Sequence, residues 1–408
     1  MGKVSRSLAA LVIAGNLFNL LTAVVIGLAM PLCVSVETYA GYRTYTLYIG
    51  YVGLFHLGFV NGMALRYGQL DYARLPFDRF RGFTRVQIAS QFLAGLVLFA
   101  AAGGLGQLGD ISRMSPMLFV TMNLFASNLR HYYSVVDRFS GRFMADAVSL
   151  ILYDAALLTG FSVLLARKPD TVQPFLLFIT CLNLVMVLGL ALVNREITFG
   201  RSVRCSAAEL LENVRRGSRV MMGEMIGGLV LGIDSIFVHL FFGTGQFSAY
   251  ALAAYIITAA CTALSAGDNL IFPALKRQAP EKLGESYRKL LRIVLLASAL
   301  MLLPVGLCLF LIPRLLPMYT GSVSVLAILC PALVLRSLCA LACRNILLVL
   351  DRENVFMRNN AAALVLGFLL DLAVVLFRGS IQAIAVVSVV TFAVWFLLND
   401  RAVQRALG

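Results

Sequence analysis

Apolar residues along the 408-residue chain fall in long runs divided by short polar breaks. A run of about 20 residues is what a helix rising 1.5 Å per residue needs to cross a hydrocarbon core of about 30 Å. Twelve such runs are read, at 8–30, 43–65, 86–104, 116–136, 143–166, 173–194, 218–242, 248–272, 290–312, 322–350, 356–377 and 380–398. Alternation of period two over ten-residue segments is absent, which argues against a membrane β-barrel. The pattern predicts an all-α polytopic membrane protein of about twelve transmembrane helices. The first run is long enough to span and has no cleavage site after it, so it reads as a permanent helix rather than a signal peptide.

Composition agrees with the periodicity. Hydrophobic residues make up 60% of the chain and charged residues 13%, against about 25% charged in ordinary soluble domains. The net charge of +14 raises the question of nucleic acid, and the placement of the charge answers it. Twenty-five Lys and Arg fall in the N-terminus, the C-terminus and every second loop. Five (Arg113, Arg167, Lys168, Arg314 and Arg378) fall in the alternate loops. By the positive-inside rule both termini are cytoplasmic, and the basic balance expresses orientation rather than a nucleic-acid partner. Four arginines are left over within or at the margin of the spans: Arg43, Arg130, Arg336 and Arg344.

No loop is long enough for a soluble domain, so any chemistry has to lie in the membrane. The longest, 195–217, contains a segment from Ser206 that predicts a short surface helix, and it separates a six-span half at 1–194 from another at 218–408. An echo supports the division. Arg130 is followed seven residues later by Asp137-Arg138, and Arg344 by Asp351-Arg352 with the same spacing, 214 positions on. An even number of spans per half makes these parallel repeats about an axis along the membrane normal.

Charged residues inside spans are expensive and mark functional sites or ion pairs. In the seventh span, Glu224, Gly227, Leu231 and Asp234 follow helical intervals, which predicts both acids on one face, toward a cavity or a cation. Two readings stand for them: ion pairing that holds helices together, or binding of a coupling ion or proton. In the tenth span Arg336 and Arg344 lie two turns apart, with Pro331 predicting a kink. Guanidinium groups suit multidentate phosphate contacts, and the alternative is pairing with Asp154, Asp234 or Asp371. Asn16, Asn19, His56, Asp146 and Asp154 are further polar positions within spans; His56 and His239 read as satisfied by a neighbouring helix, and His131 is given no role. Gly58/Gly62, Gly223/Gly227 and Gly228/Gly232 predict close helix packing. Tyr39, Tyr42, Tyr45, Tyr48 and Tyr51 read as an interface belt, with a sugar platform as the sharper alternative. The eight cysteines form no CxxC or Cys/His pattern, and no P-loop is present, so neither a metal nor a nucleotide cofactor is expected.

Glu37-Thr-Tyr-Ala-Gly-Tyr-Arg-Thr-Tyr, followed by Gly58-Phe-Val-Asn-Gly-Met-Ala-Leu-Arg-Tyr, resembles the Pro-Glu-x-Tyr-Gly and Leu-Gly…Arg-Phe pattern of bacterial polysaccharide flippases. Gly232-Ile-Asp-Ser-Ile-Phe-Val, then Gly245, Tyr250-Ala-Leu-Ala-Ala-Tyr and Phe272-Pro273, is similar to that family's span 7 and 8 signature. The first motif departs from the pattern at Val36, where proline is usual, and by one extra residue between Tyr39 and Gly41. These flippases belong to the multidrug/oligosaccharidyl-lipid/polysaccharide exporter superfamily.

The resemblance implies two six-helix lobes around a central cavity in the bacterial cytoplasmic membrane. It implies transport, not enzyme catalysis, of an undecaprenyl-diphosphate-linked oligosaccharide, alongside glycosyltransferases and a polysaccharide polymerase. On that expectation Arg130, Arg336 and Arg344 meet the diphosphate, Arg43 lies near the exit, and Asp234 or Glu224 couples transport to an ion gradient or membrane potential. Membrane lipids are the remaining partners. The competing expectations are a multidrug or cation antiporter of the same superfamily, and a membrane-embedded polysaccharide polymerase or ligase. The short external loops weigh against the last.

Overall fold

The computed structural model describes residues 6–68, 70–103, 114–203, 205–265 and 280–407, with four positions between 271 and 278. Lys3, Arg113, Arg204, Arg277 and the Phe272-Pro273 pair lie outside the described residues. The chain divides into two compact units, Met1–Met225 and Ile226–Gly408.

Unit 1 holds α1 (Arg6–Cys33), α2 (Val36–Ile49), α3 (Phe59–Tyr67), α4 (Phe77–Ala101), α5 (Pro116–Phe139), α6 (Phe143–Arg167), α7 (Gln173–Val193), the single turn α8 (Arg195–Thr198) and most of α9 (Ala207–Val230). Unit 2 holds the end of α9, then α10 (Ile233–Phe241), α11 (Thr244–Ser265), α12 (Leu283–Leu315), α13 (Gly321–Ser337), α14 (Arg344–Val349), α15 (Glu353–Leu376) and α16 (Ile381–Leu407). No strand occurs among the described residues. Among them, nine helices are long and apolar enough to cross a membrane, and two bent pairs, α2 with α3 and α9 with α10, raise the number to eleven. The twelfth is α5, which is long enough at 24 residues but carries Arg130, Asp137 and Arg138.

The polarity of α5 is tolerable because protein surrounds it. It packs on α2, α3, α4, α6 and α7. Asn123 donates to Thr180 Oγ1 at 2.7 Å and accepts from Asn183 at 2.8 Å, while Asn128 donates to Gln91 Oε1 at 2.7 Å and to the Val52 carbonyl at 2.9 Å. Tyr132 meets Thr84 Oγ1 at 2.8 Å. Side-chain bonds between helices within a bilayer are each worth about 0.6–2 kcal/mol, so this ladder both stabilises the unit and fixes its register.

The two units repeat one packing scheme. In unit 1, α1 packs on α6, α2 on α5, α4 on α5, α5 on α7 and α6 on α7. In unit 2 the equivalents are α10 on α15, α11 on α13, α12 on α13, α13 on α16 and α15 on α16. The turns give the register. After α5, Arg142 N–H bonds the Asp137 carbonyl and Gly141 N–H that of Arg138, with Gly141 left-handed. After α14, Arg352 N–H bonds the Leu347 carbonyl and Asp351 N–H that of Leu348, with Asp351 left-handed. Both are Schellman caps. Their left-handed residues are 210 positions apart (351 minus 141), as are left-handed Lys168 and Arg378 after α6 and α15 (378 minus 168). The repeat is therefore real in the fold, but its register is not the 214-residue offset of the arginine echo. Arg130 and Arg344 sit on equivalent helices about one turn out of step.

Five local expectations are corrected. The second span begins at Val36, tightens after Ile49 into a 3₁₀ turn at Val52–His56, and breaks with a 58° bend at left-handed Leu57 and Gly58 before α3. Tyr39 and Tyr45 consequently lie buried on α2 rather than in an interface belt. The segment from Ser206 is no separate surface helix, because α9 runs unbroken from Ala207 to Val230. The seventh span then bends by 58° at Leu231–Gly232, so Glu224 and Asp234 stand on different helices and not on one face. In the tenth span the departure from α geometry lies beyond Pro331, at the π segment Leu338–Cys343.

Of the glycine pairs, Gly58/Gly62 is a packing notch. A Cβ at Gly62 would sit 1.8 Å from the Asn213 carbonyl oxygen, and one at Gly217 only 1.9 Å from that of Gly58. Gly228 faces open space and Gly227 has only Asn360 Nδ2 at 3.8 Å, so neither of these two glycines is a notch of this kind. Gly62→Val is expected to lower stability in detergent by about 3 kcal/mol or more, because two backbones have to separate. Gly228→Ala should be neutral or gain up to about 1 kcal/mol of helix propensity. Thermal unfolding of the two purified variants checks both.

Candidate functional site

In unit 1, Arg130 lies half-buried on α5 with its guanidinium 4.0 Å from the centroid of the Tyr153 ring on α6. Asp154, the next residue, does not form its ion pair: both carboxylate oxygens accept from Asn19 Nδ2 of α1, at 3.0 and 3.1 Å. An arginine stacked on an aromatic face keeps its N–H donors for another acceptor, as an arginine in a bidentate carboxylate pair does not. Arg43 lies half-buried in the second turn of α2 rather than at a span margin. His131, given no role from the sequence, stacks on His56 with centroids 5.6 Å apart, and His56 Nδ1 accepts from Gly58 N–H at 3.1 Å. This contact braces the break between α2 and α3.

In unit 2, Arg336 repeats the arrangement with weaker contacts. Its guanidinium stands 5.5 Å from the Phe392 ring and Nη1 lies 3.5 Å from Thr258 Oγ1. Arg344 is exposed although the three residues on either side of it are buried. The π segment between these arginines has a geometric consequence. Eight α-helical residues turn about 800°, leaving the two side chains about 80° apart. One extra residue absorbed by i→i+5 bonding reduces this to about 20°. The irregular turn thus aligns Arg336 with Arg344.

The acids separate. Glu224 is exposed in unit 1 and accepts a long hydrogen bond of 3.4 Å from Asn61. Asp234 is buried at the start of α10, immediately after the break. Its Oδ1 accepts from Ser235 N–H at 2.6 Å, and its Oδ2 from Tyr250 OH at 2.7 Å and Ser388 Oγ at 2.8 Å. The break supplies this position, because a free helix N-terminus offers unsatisfied N–H groups and a favourable dipole to a carboxylate. Asp371 on α15, only 1% exposed, is close enough for the two charges to interact. Its Oδ1 accepts no hydrogen bond, and neither does Oγ1 of buried Thr391 on α16 make one. Gly367 lets these helices approach, since a Cβ there would stand 3.2 Å from Thr391 and 3.7 Å from Ile233.

Two buried carboxylates with no basic partner within salt-bridge distance, among the described residues, are costly unless a proton or cation is shared between them. The cluster of Asp234, Asp371, Ser388 and Thr391 has the oxygen donors for either. Of these four, Asp234 stands out in the sequence as a coupling residue, and Asp371 only as a partner for an arginine. The missed signal was the polar pair Ser388 and Thr391, one turn apart in an otherwise apolar span, opposite the Gly367-x-x-x-Asp371 spacing.

No protein-family model and no curated protein matches the sequence. Solved structures do match the fold. The lipid II flippase MurJ in an inward closed conformation superposes with a TM-score of 0.70 at 10% identity, over 98% of this chain and 88% of that one. An inward-facing multidrug resistance MATE family transporter of the MOP superfamily gives 0.63 at 14% identity, covering 98% and 94%. A mutant of the Vibrio cholerae MATE transporter VcmN gives 0.62 at 17% identity, covering 98% and 95%. The chain therefore has the twelve-helix fold that these transporters share.

Tyr250→Phe and Ser388→Ala each remove a bond to the Asp234 carboxylate, and each is expected to cost about 1.5–3 kcal/mol. Thr391→Val removes a hydroxyl with no protein partner and should cost less than either. Chemical or thermal unfolding of the three variants in one cation-free buffer gives the ranking.

Proposed function

We propose that the chain is an alternating-access transporter of the MOP superfamily that moves an undecaprenyl-diphosphate-linked oligosaccharide across the bacterial cytoplasmic membrane. The observation that carries the reading is the state of its intramembrane arginines. Arg130 and Arg336 are held by aromatic rings and a hydroxyl instead of by carboxylates. Their charge is thus left for an anionic ligand, and a diphosphate is the part of a lipid-linked glycan that needs cations. Arg344 joins Arg336 through the π segment, and Arg43 serves the external end. The hydrocarbon tail stays in the bilayer while the glycan crosses in a wet path.

Coupling belongs to the second polar cluster. A cation or proton bound by Asp234 and Asp371 bridges α10, α15 and α16, so its arrival and departure bias the packing beside the break in the seventh span. Glu224, exposed and weakly bonded, is the poorer candidate. The same acid pair favours a second reading, export of cationic drugs, in which the acids bind cargo instead of the coupling ion. Loop charges support cytoplasmic termini in both readings.

Proteoliposomes loaded with a fluorescent undecaprenyl-diphosphate oligosaccharide separate the two. Arg130→Ala and Arg344→Ala are each expected to lower leaflet transfer by at least about thirtyfold, as when one member of a desolvated charged contact is removed. Both variants should insert normally, and cells carrying them should lose surface glycan. Full transfer by the double variant would sink the diphosphate assignment. Export of a cationic dye that depends on Asp234 and ignores both arginines would instead establish the drug reading. Asp371→Asn should preserve binding of the lipid-linked substrate and abolish the response of transfer to an imposed ion gradient.

A further inference from the structure

The apolar windows of α6 and α7 are only 11% and 33% buried, as suits helices that face lipid. Toward their cytoplasmic ends they leave a furrow of about 540 Å³, within the roughly 300–1,000 Å³ of ordinary ligand sites. Met144, Val148 and Leu152 of α6 form one wall, and Met186, Gly189 and Val193 of α7 form the other. Gly189 leaves that wall low: a Cβ there would meet nothing within 4 Å. The furrow opens outward, since Met144, Leu152 and Val193 are 62%, 58% and 53% exposed. A cleft lined by hydrocarbon does not hold water, and left empty it would forfeit dispersion contacts, so hydrocarbon fills it.

Length and charge identify which hydrocarbon. From Met144 to Leu152 the helix rises about 12 Å, close to the half-thickness of about 15 Å that one leaflet contributes to the core. The furrow therefore suits one acyl chain of the cytoplasmic leaflet, and a longer polyisoprenoid would overrun it. Its cytoplasmic end is lined by Arg142. That side chain is fixed by Asp137 at 3.4 Å, by Asn194 Oδ1 at 3.2 Å, by the Val193 carbonyl at 3.4 Å and by the Tyr72 ring at 4.1 Å. Two of its five N–H donors are hydrogen-bonded in this way, Nε stands in the ion pair, and its side chain remains 27% exposed. Arg138 adds a second cation, 50% exposed and only 3.8 Å from Asp146 at its nearest. The acids of this corner are turned inward, Asp137 fully buried and Asp146 24% exposed, while the arginines face outward.

We infer that this furrow is a binding site for an anionic phospholipid of the cytoplasmic leaflet, with one acyl chain between α6 and α7 and the phosphate at Arg142 and Arg138. The site is independent of the transported substrate. A lipid seated there ties the start of α6 to the end of α7 and to α5, which carries Arg130.

Native mass spectrometry of the full chain in detergent, titrated with phosphatidylglycerol and with phosphatidylethanolamine, tests it. One phosphatidylglycerol should be retained in preference to phosphatidylethanolamine, and Arg138→Gln should lower that preference about fivefold, the effect of one arginine near a charged lipid surface. Gly189→Phe starts from a Cβ that meets nothing within 4 Å and places its ring in the furrow; it should lower retention of phosphatidylglycerol at least tenfold, while the melting temperature of delipidated protein stays at the wild-type value. Equal retention of the two lipids, or retention untouched by Gly189→Phe, overturns the inference. Displacement of phosphatidylglycerol by polyprenyl phosphate, or loss of the furrow's lipid on dimerisation, overturns it equally by naming another occupant.

Discussion

A polar helix in a membrane has to be wrapped in protein, and that constraint organises unit 1. By its own composition α5 is less apolar than the nine helices that pass as membrane spans. Five other helices cover it, and amides and hydroxyls along its buried face meet partners on them. The same encirclement is what permits an arginine at Arg130, because the cost of the charge is met by Tyr153 and the surrounding polar surface instead of by acyl chains. Its equivalent in unit 2, α13 continued by α14, occupies the same place among α11, α12 and α16, and again carries the arginines. The central helix of each repeat is thus both the packing hub and the bearer of fixed positive charge.

Departures from regular helix fall beside the polar and charged side chains of the spans. The break at Leu231–Gly232 creates the helix start that receives the Asp234 carboxylate. The break at Leu57–Gly58 is braced by the His56–His131 stack and lies beside the glycine notch that admits α9. The π segment rotates Arg344 toward the face of Arg336. Non-helical backbone inside a membrane protein is tolerable only where other groups satisfy it, so each irregularity is held by specific side chains.

The separation of charge follows from the same architecture. Asp234 is held by two hydroxyls and a helix terminus, while Arg130 and Arg336 rest on aromatic rings. Had they paired, both would be spent on structure. Their separation leaves the arginines and the acids in different polar surroundings, which is the premise of the proposed transport reading.

Hydrophobic run length and loop charge alone determined the all-α polytopic class, the number of spans and the proposed orientation, because the bilayer imposes those features on sequence directly and residue by residue. The existence of two similar halves was also legible, through the arginine echo, although its register was a turn out. The left-handed caps at Gly141, Asp351, Lys168 and Arg378, which fix that register, carry no common residue type that a comparison of letters would align. Helical spacing placed Glu224 and Asp234 on one face, and only the fold revealed the bend between them, since Gly232 permits a break without requiring one. The partnership of Asp234 with Asp371, Ser388 and Thr391 brings together residues up to 157 positions apart (391 minus 234) on three helices. No local pattern encodes that proximity. It arises from which helix faces pack together, and packing is decided by the shapes of whole helices rather than by any stretch of sequence.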